Sequence, residues 1–396
     1  MARPLEGIRV IDLTRVLAGP FATMILSDLG ADVIKVELPG RGDDSRAFGP
    51  FKNATSLYFF AINRGKRSVS LNLKAERGRG LLLDLVKQSD VLVENYSPGV
   101  MDRLGLGYDV LKKHNGRLIY AAISGFGHSG PDSQKPAYDI LVQAMGGIMS
   151  ITGWPDMPPT RVGMSTGDIT AALFAAVGIV AALHQRDKTG VGQKVDVAML
   201  DCQLAILENA LSRFQVDGVP PRPLGNRHPT ITPFQAFKAL DGYFVVGAGN
   251  DAIWVRLCNA IARPDLATDP RFTTNASRTD ALDEVVACLE QAFARKTVAE
   301  WLAILEAAGV PCGPVNTIDH VVQNRQLKAR NMLVEVEDPV AGTVMVPGNP
   351  IKLSDVPREP PFTRAPAVGE HTEEVLSDLV GLSPADIEDL RRQGVV

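Results

Sequence analysis

The stretch GIRVIDLTRVLAGPFATMILSDLGADVIKVEL, residues 7–38, decides the fold. GIRVIDL (7–13) is a β-branched apolar run, GPFATMILSDLGA (19–31) carries apolar residues at helical spacing, and DVIKVEL (32–38) returns to the strand pattern. The alternation continues outward through SVSLNL (68–73), helix ERGRGLLLDLVKQ (76–88), VLVENY (91–96), helix GVMDRLGLGYDVLKKH (99–114) and LIYAAIS (118–124). Apolar strands separated by amphipathic helices predict an α/β fold, a doubly wound parallel sheet of Rossmann type. Ligands of such sheets bind beyond the carboxyl ends of the strands, so the loops after 13, 38, 73, 96 and 124 are the places to search.

Further along, PAYDILVQAMGGIMS (136–150) and 169–186 read as helices, and QKVDVAMLDCQLAILENAL (193–211) as a strand followed by a helix. The Pro-rich DGVPPRPLGNRHP (217–229) reads as a linker. Beyond it, strand YFVVGAG (243–249) and helices near 251–263, 278–294 and 298–308 predict a smaller α+β domain. A β-like LVEVEDPVAGTVMVP (333–347) and two short helices close the chain. The expected division is a large α/β domain from 1–216 and 326–396, with 217–325 as linker and inserted small domain.

The formal net charge is -4, and no Lys/Arg-rich block interrupts the chain. Nothing electrostatic therefore points to a nucleic acid or an anionic membrane. No long apolar segment precedes the first strand, so a secretory signal is not expected. The most apolar run, ITAALFAAVGIVAALH (169–184), falls short of a spanning segment and reads as a buried core helix. Cys202, Cys258, Cys288 and Cys312 form no CxxC pair, and no HExxH occurs. The expectation is no metal, no disulfide framework and a cytoplasmic location.

Three motifs suggest chemistry and lack its context. GFGHSG (125–130) matches GxGxxG, but Pro131 and a polar loop follow instead of a helix that would hold a pyrophosphate. GMSTG (163–167) matches the nucleophile elbow of serine hydrolases around Ser165, yet PDMPPTRV before it is poor strand sequence. No GxxxxGK[ST] loop is present, which argues against ATP-driven chemistry through a P-loop. Asp168 is the better candidate. It precedes a long apolar helix, where an aspartate serves as N-cap. There the helix dipole is expected to keep it ionised, as a nucleophile requires. Gly163 and Gly167 are expected to let a substrate approach.

These residues lie within a longer resemblance. LAGPFATMILSDLGADVIKVE (17–37), NRGKRSVSLNLK (63–74), VENYSPGVMDRLGLGY (93–108), ISGFGHSGP (123–131), YDILVQAMGGIMSITG (138–153), GDITAALFA (167–175), HQRDKTGVGQKVDVAMLD (184–201) and GEHTEEVL (369–376) stand in order over nearly the whole chain. In these runs the chain resembles the class III CoA-transferases, the family of formyl-CoA, carnitine and bile-acid CoA-transferases. The resemblance implies an aspartate nucleophile at Asp168 and acyl-CoA as substrate, with no metal or nucleotide cofactor. It implies coenzyme A contacts at Val16, Leu17 and Ala18; at Leu71, Asn72, Leu73 and Lys74; at Asn95, Tyr96 and Ser97; at Arg103; and at Pro136, Ala137, Tyr138 and Asp139. Lys74 and Arg103 are the expected phosphate partners. The position after VIKVE, often arginine in the family, is Leu38 here, and Arg41 is the expected substitute. The run GNRHPTITPFQAF (225–237) resembles the branch that handles dicarboxylic acids such as succinate and glutarate, with Arg227 or His228 expected to pair with a distal carboxylate. The resemblance also implies an interlocked homodimer.

The α-methylacyl-CoA racemases are similar too, but carry a histidine where AYDI has Tyr138. An unperturbed tyrosine, with a pKa near 10, is a poor base at neutral pH. Transfer of CoA to a small carboxylic acid is the expected activity. The alternatives are a racemase, a serine hydrolase using Ser165, and a CoA-binding scaffold without turnover.

Overall fold

A computed structural model describes residues 3–356 and 362–396. Six parallel strands form its main sheet: β1 (Arg9–Asp12), β2 (Asp32–Glu37), β3 (Arg67–Ser70), β4 (Val91–Glu94), β5 (Ile119–Ser124) and β6 (Lys194–Ala198). Their order across the sheet is β3-β2-β1-β4-β5-β6, with every neighbouring pair parallel. This is the doubly wound order in which the winding reverses between β1 and β4.

The inner strands β1, β4 and β5 are mostly apolar and buried because both faces are covered. On one face Val10, Val33, Val93, Ala121 and Ile123 pack with helix α1 (Ala18–Asp28) and with Ala171, Ala175 and Ile179 of the long helix 166–189. On the other, Ile11, Ile34, Val69, Leu92 and Ala122 meet Leu81, Leu82 and Leu85 of helix 76–87. Each such fully buried Val, Leu or Ile contributes roughly 1.5–3 kcal/mol. The C-terminal segment completes this body: Val375, Leu390 and Val395 join the second face. The GEHT run also covers the open edge of β3. His371 N–H donates to the Ser68 carbonyl at 2.9 Å, and Ser70 N–H donates to Thr372 Oγ1 at 3.0 Å. That run of the resemblance is therefore an edge guard.

The remaining helices used below are α2 (Leu57–Asn63), α3 (Glu76–Lys87), α4 (Val100–Arg103), α5 (Tyr108–His114), α6 (Asp139–Met145), α7 (Thr166–Thr189) and α8 (Met199–Ala205). Three differ from expectation. The helix expected over 99–114 is two pieces, because Gly105 adopts a left-handed φ of 69° between α4 and α5. The helix after β6 ends at Ala205, and a left-handed Glu208 (φ 52°) turns the chain into a separate helix, Asn209–Asp217. Finally, α7 is not wholly a core helix. Only half of its most apolar window is buried, and Leu173, Phe174, Val177 and Val180 are exposed. By length and composition alone it reaches the size of a membrane span.

By contact the described chain divides into two compact units. The first takes the residues up to Ile148, Arg161–Asn209 and those from Arg325 onward; the second takes Met149–Thr160 and Ala210–Asn324. Residues 210–216, expected in the large domain, group with the second unit, as does 149–160. That unit holds a three-stranded antiparallel sheet, Cys312–Pro314, Tyr243–Gly247 and Phe234–Lys238, of which only the second was foreseen. Phe237, Phe244, Trp254, Phe293 and Trp301 fill its core.

Candidate active site

The reversal of winding between β1 and β4 leaves a crevice at their carboxyl ends. Two adjoining cavities of the first unit occupy it. One, of about 280 Å³, is bounded by Val16–Ala18, Asn95–Ser97, Ala137–Asp139 and Asp168. The other, of about 430 Å³, extends over the ends of β2 and β3 and is lined by Leu38, Arg41 and Leu71–Lys74. Arg15, Asp44, Tyr96 and Ser97 line both. The larger cavity carries the basic side chains of Arg15, Arg41 and Lys74 beside the carboxylate of Asp44.

Asp168 is the third residue of α7, not its N-cap; Ser165 holds the cap position without a side-chain hydrogen bond. The cap is supplied from α6 instead. Asp139 Oδ1 accepts the Gly167 N–H at 2.8 Å, while its Oδ2 accepts from Gln143 Nε2 at 2.8 Å. Gly167 is required for this packing, because a Cβ there would lie 2.6 Å from Val142 Cγ2 and 3.1 Å from Asp139 Oδ1. The absent side chain admits α6, not a substrate; Gly163 faces open space. The Asp168 carboxylate itself has no hydrogen-bond partner among the described residues. Burial, with the Asp139 charge beside it, pushes its pKa up to about 7. The expectation of a dipole-held ion is corrected on magnitude. A helix N-terminus favours a charge by only about 0.3–1 kcal/mol at a partly exposed site, and desolvation here outweighs it.

The loop after β1 rests on buried ion pairs. Asp12, at the end of β1, accepts from Thr14 and Thr23 and pairs with Lys66 at 2.9 Å, all out of solvent. Burial opposes its charge, yet Lys66 and Lys35 hold its carboxyl well below the usual range. Burial in turn lowers Lys66 to about 8. Lys35 Nζ sits 2.8 Å from Asp43 Oδ2 and donates to the Thr14 carbonyl at 2.8 Å. Between these supports Val16 adopts φ 68°. For a β-branched residue this left-handed conformation stores roughly 1–3 kcal/mol of strain.

The comparisons decide what this crevice belongs to. The family model described as CoA-transferase family III matches residues 5–372. The chain belongs to CoA-transferase family III. An acetyl-CoA:oxalate CoA-transferase of Acetobacter aceti is 50% identical over 90% of this chain and 92% of its own. A succinyl-CoA:glutarate CoA-transferase of Mus musculus is 40% identical over 100% of this chain and 90% of its own. A crystal structure of a CAIB/BAIF family protein from Brucella suis is 39% identical, superposes with a TM-score of 0.84, and covers 96% of this chain and 100% of its own. The protein is thus a CoA-transferase.

Within this CoA-transferase, most of the expected contacts line the crevice: Val16–Ala18, Leu71–Lys74, Asn95–Ser97, Ala137–Asp139 and Arg41. Asn95 is already engaged. Its side chain accepts from Arg15 N–H and donates to the Arg15 carbonyl, both at 2.8 Å, and so fastens the β1 loop to the β4 loop. Arg41 pairs with Asp44 at 2.7 Å. Arg103 and Pro136 line neither cavity; Arg103 lies exposed on α4. Arg227 and His228 belong to the second unit. There His228 packs against Phe234 and its Nδ1 accepts from Thr230 N–H at 3.2 Å, which braces a turn.

Three residues escaped sequence reasoning. The Arg15 guanidinium lies 5.2 Å above the Tyr96 ring at the junction of the cavities. Lys135 lines the smaller cavity one residue before the expected Pro136. Burial and the charges of Asp168, Asp43 and Asp139 push the Tyr58 phenol up to about 12. Only Lys135 had a signal, its place in the PAYD loop; α2, which carries Tyr58, was not foreseen.

The decoys are settled by context. GFGHSG runs on in loop as far as Tyr138, and residues 152–164, directly before Ser165, hold no strand. His128 lies 2.9 Å from Lys194 Nζ and lines neither cavity, whose described walls contain no histidine.

Proposed function

We propose that the enzyme moves CoA from an acyl-CoA donor, succinyl-CoA, to a small dicarboxylic acid through an aspartyl-CoA thioester on Asp168. The observation that carries this reading is the unpartnered, half-buried Asp168 carboxylate in the wall of the crevice. An oxygen without a competing donor is free to attack. Its pKa near 7 leaves it substantially ionised at neutral pH while making it more basic than an ordinary aspartate.

Asp168 attacks the donor thioester carbonyl, giving a mixed anhydride and CoA thiolate. The thiolate attacks the aspartyl carbonyl and releases the donor acid as its carboxylate. The acceptor carboxylate then attacks the aspartyl thioester, expelling thiolate, and the thiolate takes the acceptor's acyl group and returns Asp168 as the free carboxylate. One hard exchange becomes a series of easier ones. Lys74 and Arg41 meet the phosphates in the larger cavity, and Arg15 spans the bend. The two similar transferases act on oxalate and glutarate by name, which supports a dicarboxylate acceptor. Arg227 and His228 remain the proposed partners of its distal carboxylate.

An interlocked cytoplasmic homodimer belongs to the same proposal. The exposed apolar face of α7 supports a partner copy, and four free thiols support a reducing compartment. Light scattering is expected to give a dimer that does not dissociate on dilution.

The functional test is an exchange assay. Succinyl-CoA or acetyl-CoA is mixed with oxalate, glutarate, mesaconate, citramalate, itaconate, formate and carnitine, and products are read by mass spectrometry beside Asp168→Ala. A new dicarboxyl-CoA absent from the variant is expected. Equal activity of both proteins would refute the mechanism, and product from formate or carnitine alone would refute the dicarboxylate assignment.

A further inference from the structure

The β1 loop passes through the crevice with both sides of one turn held by a single buried ion pair. Lys35 Nζ donates to the Thr14 carbonyl at 2.8 Å. Two residues on, the Val16 N–H donates to Asp43 Oδ1 at 3.2 Å. Lys35 and Asp43 bind each other at 2.8 Å, with side chains 1% and 0% exposed. The pair is braced in turn. Asp43 Oδ1 also accepts Ser45 N–H and Oγ–H, and Asp43 N–H donates to Glu37 Oε2, which Arg46 Nε also reaches at 2.8 Å. The residue so held is Val16, the β-branched residue at φ 68°. Strain of this kind persists only where the surroundings over-determine it. The turn leads directly into Leu17 and Ala18, which share the smaller cavity with Asp168.

We infer that Lys35 and Asp43 are positioning residues for CoA transfer: their ion pair clamps the turn Thr14–Val16 and forces Val16 into the left-handed conformation that sets the wall facing Asp168. The inference rests on the aspartyl-thioester reading for its activity readout. Both residues stand behind the wall of the larger cavity, but their side chains are all but fully covered, so the pair acts through the backbone it holds. Burial opposes both charges, yet Asp43 is lowered by Lys35, and Lys35 is raised by Asp12 and then by Asp43 and Glu37. The clamp therefore stays charged across the neutral range.

The test replaces the clamp without leaving a lone buried charge, as Lys35→Met with Asp43→Leu; apolar replacement of a buried pair is often tolerated. Acyl exchange, CoA binding by calorimetry and hydrogen exchange of the peptide covering residues 13–18 are measured on the full-length protein. The account predicts a fall in kcat of about 100-fold, in line with a displacement near 1 Å, with a CoA Kd changed by less than about 3-fold. It also predicts faster exchange confined to that peptide. Adding Val16→Gly, which adopts the left-handed turn without strain, is expected to restore at least about 10-fold of the lost kcat. A merely structural pair would give no such rescue. Where the double variant does not fold, Asp43→Asn, which keeps the Oδ1 acceptor and removes the charge, is expected to show the same pattern at smaller size. Unchanged kcat and unchanged exchange at 13–18 would overturn the inference, as would a loss confined to CoA affinity. A wild-type enzyme without transfer activity would instead refute the function, and the hydrogen-exchange result would still decide the clamp.

Discussion

Asp168 and Asp43 both belong to the walls of the crevice, and their surroundings are opposite. Asp43 is wholly buried and held by Lys35, Ser45 and Val16, so that its pKa falls although burial alone would raise it. Asp168 is only half-buried, has no partner, and rises to about 7. A carboxylate that serves the fold is given a buried cation and several donors, here three on Oδ1 and Lys35 beside Oδ2. One that serves the chemistry is left with oxygens to spare and accepts a less stable charge. This difference separates framework from nucleophile better than burial does.

The contrast breaks most directly at Asp168. Asp168→Ala is expected to lower kcat/KM by about 10⁴-fold or more, as loss of a covalent nucleophile does, with no loss of thermal stability. The corresponding framework change, Lys35→Ala alone, is expected to cost stability, about 3–5 kcal/mol, because it strands the Asp43 charge. Chemical denaturation of the two variants side by side checks the pair. Equal destabilisation would erase the distinction.

Protonation sharpens it. Folded Asp168 holds its proton up to about pH 7, whereas the unfolded chain releases it near the ordinary aspartate value, about 3.9. Between those limits the folded state binds more protons, so this group's contribution to stability falls as pH rises. Asp168→Asn removes that loss. It is expected to stabilise the protein by about 1–2 kcal/mol at pH 8, discounted for solvent access, and to make no difference at pH 4. In activity the sign is reversed. kcat/KM is expected to fall as pH drops below about 7, because the proton disables the nucleophile. Asp139→Asn removes the neighbouring negative charge and is expected to move that acid limb to lower pH; an unmoved limb would mean that Asp168 is not the titrating group.

The smallest effect is expected at the bend. Arg15→Gln should raise KM for acyl-CoA by about 3–10-fold, the range of a partly exposed charge contact, and leave KM for the acyl-pantetheine, which lacks the diphosphate, unchanged. Equal loss on both substrates would place Arg15 elsewhere in the mechanism.

Much of this architecture was legible in the sequence because it is periodic. Most strands in residues 7–124 carry apolar residues on both faces, as a covered parallel sheet requires, and the reversal of winding then places the ligand loops. Asp168 was legible from its place before an apolar helix and from the resemblance. Its cap and its pKa were not. Both depend on Asp139, 29 residues earlier in the chain, and no local pattern tells which of two carboxylates takes the Gly167 amide. The Lys35–Asp43 clamp was hidden for a related reason: Lys35 stands among Val33, Ile34 and Val36 in the apolar middle of its strand, and its partner lies in a loop read only for its arginine. Arg15 was passed over because single surface arginines carry no pattern, whereas its role depends on the Tyr96 ring beneath it.

The central claim is that Asp168 becomes covalently joined to CoA. The enzyme would be incubated with succinyl-CoA and no acceptor, quenched in acid, digested and analysed by mass spectrometry. A CoA adduct is expected on the peptide carrying Asp168, lost on adding an acceptor acid and converted to the hydroxamate by hydroxylamine. An enzyme that exchanges acyl groups with no adduct at Asp168, or with the adduct on another residue, would contradict it.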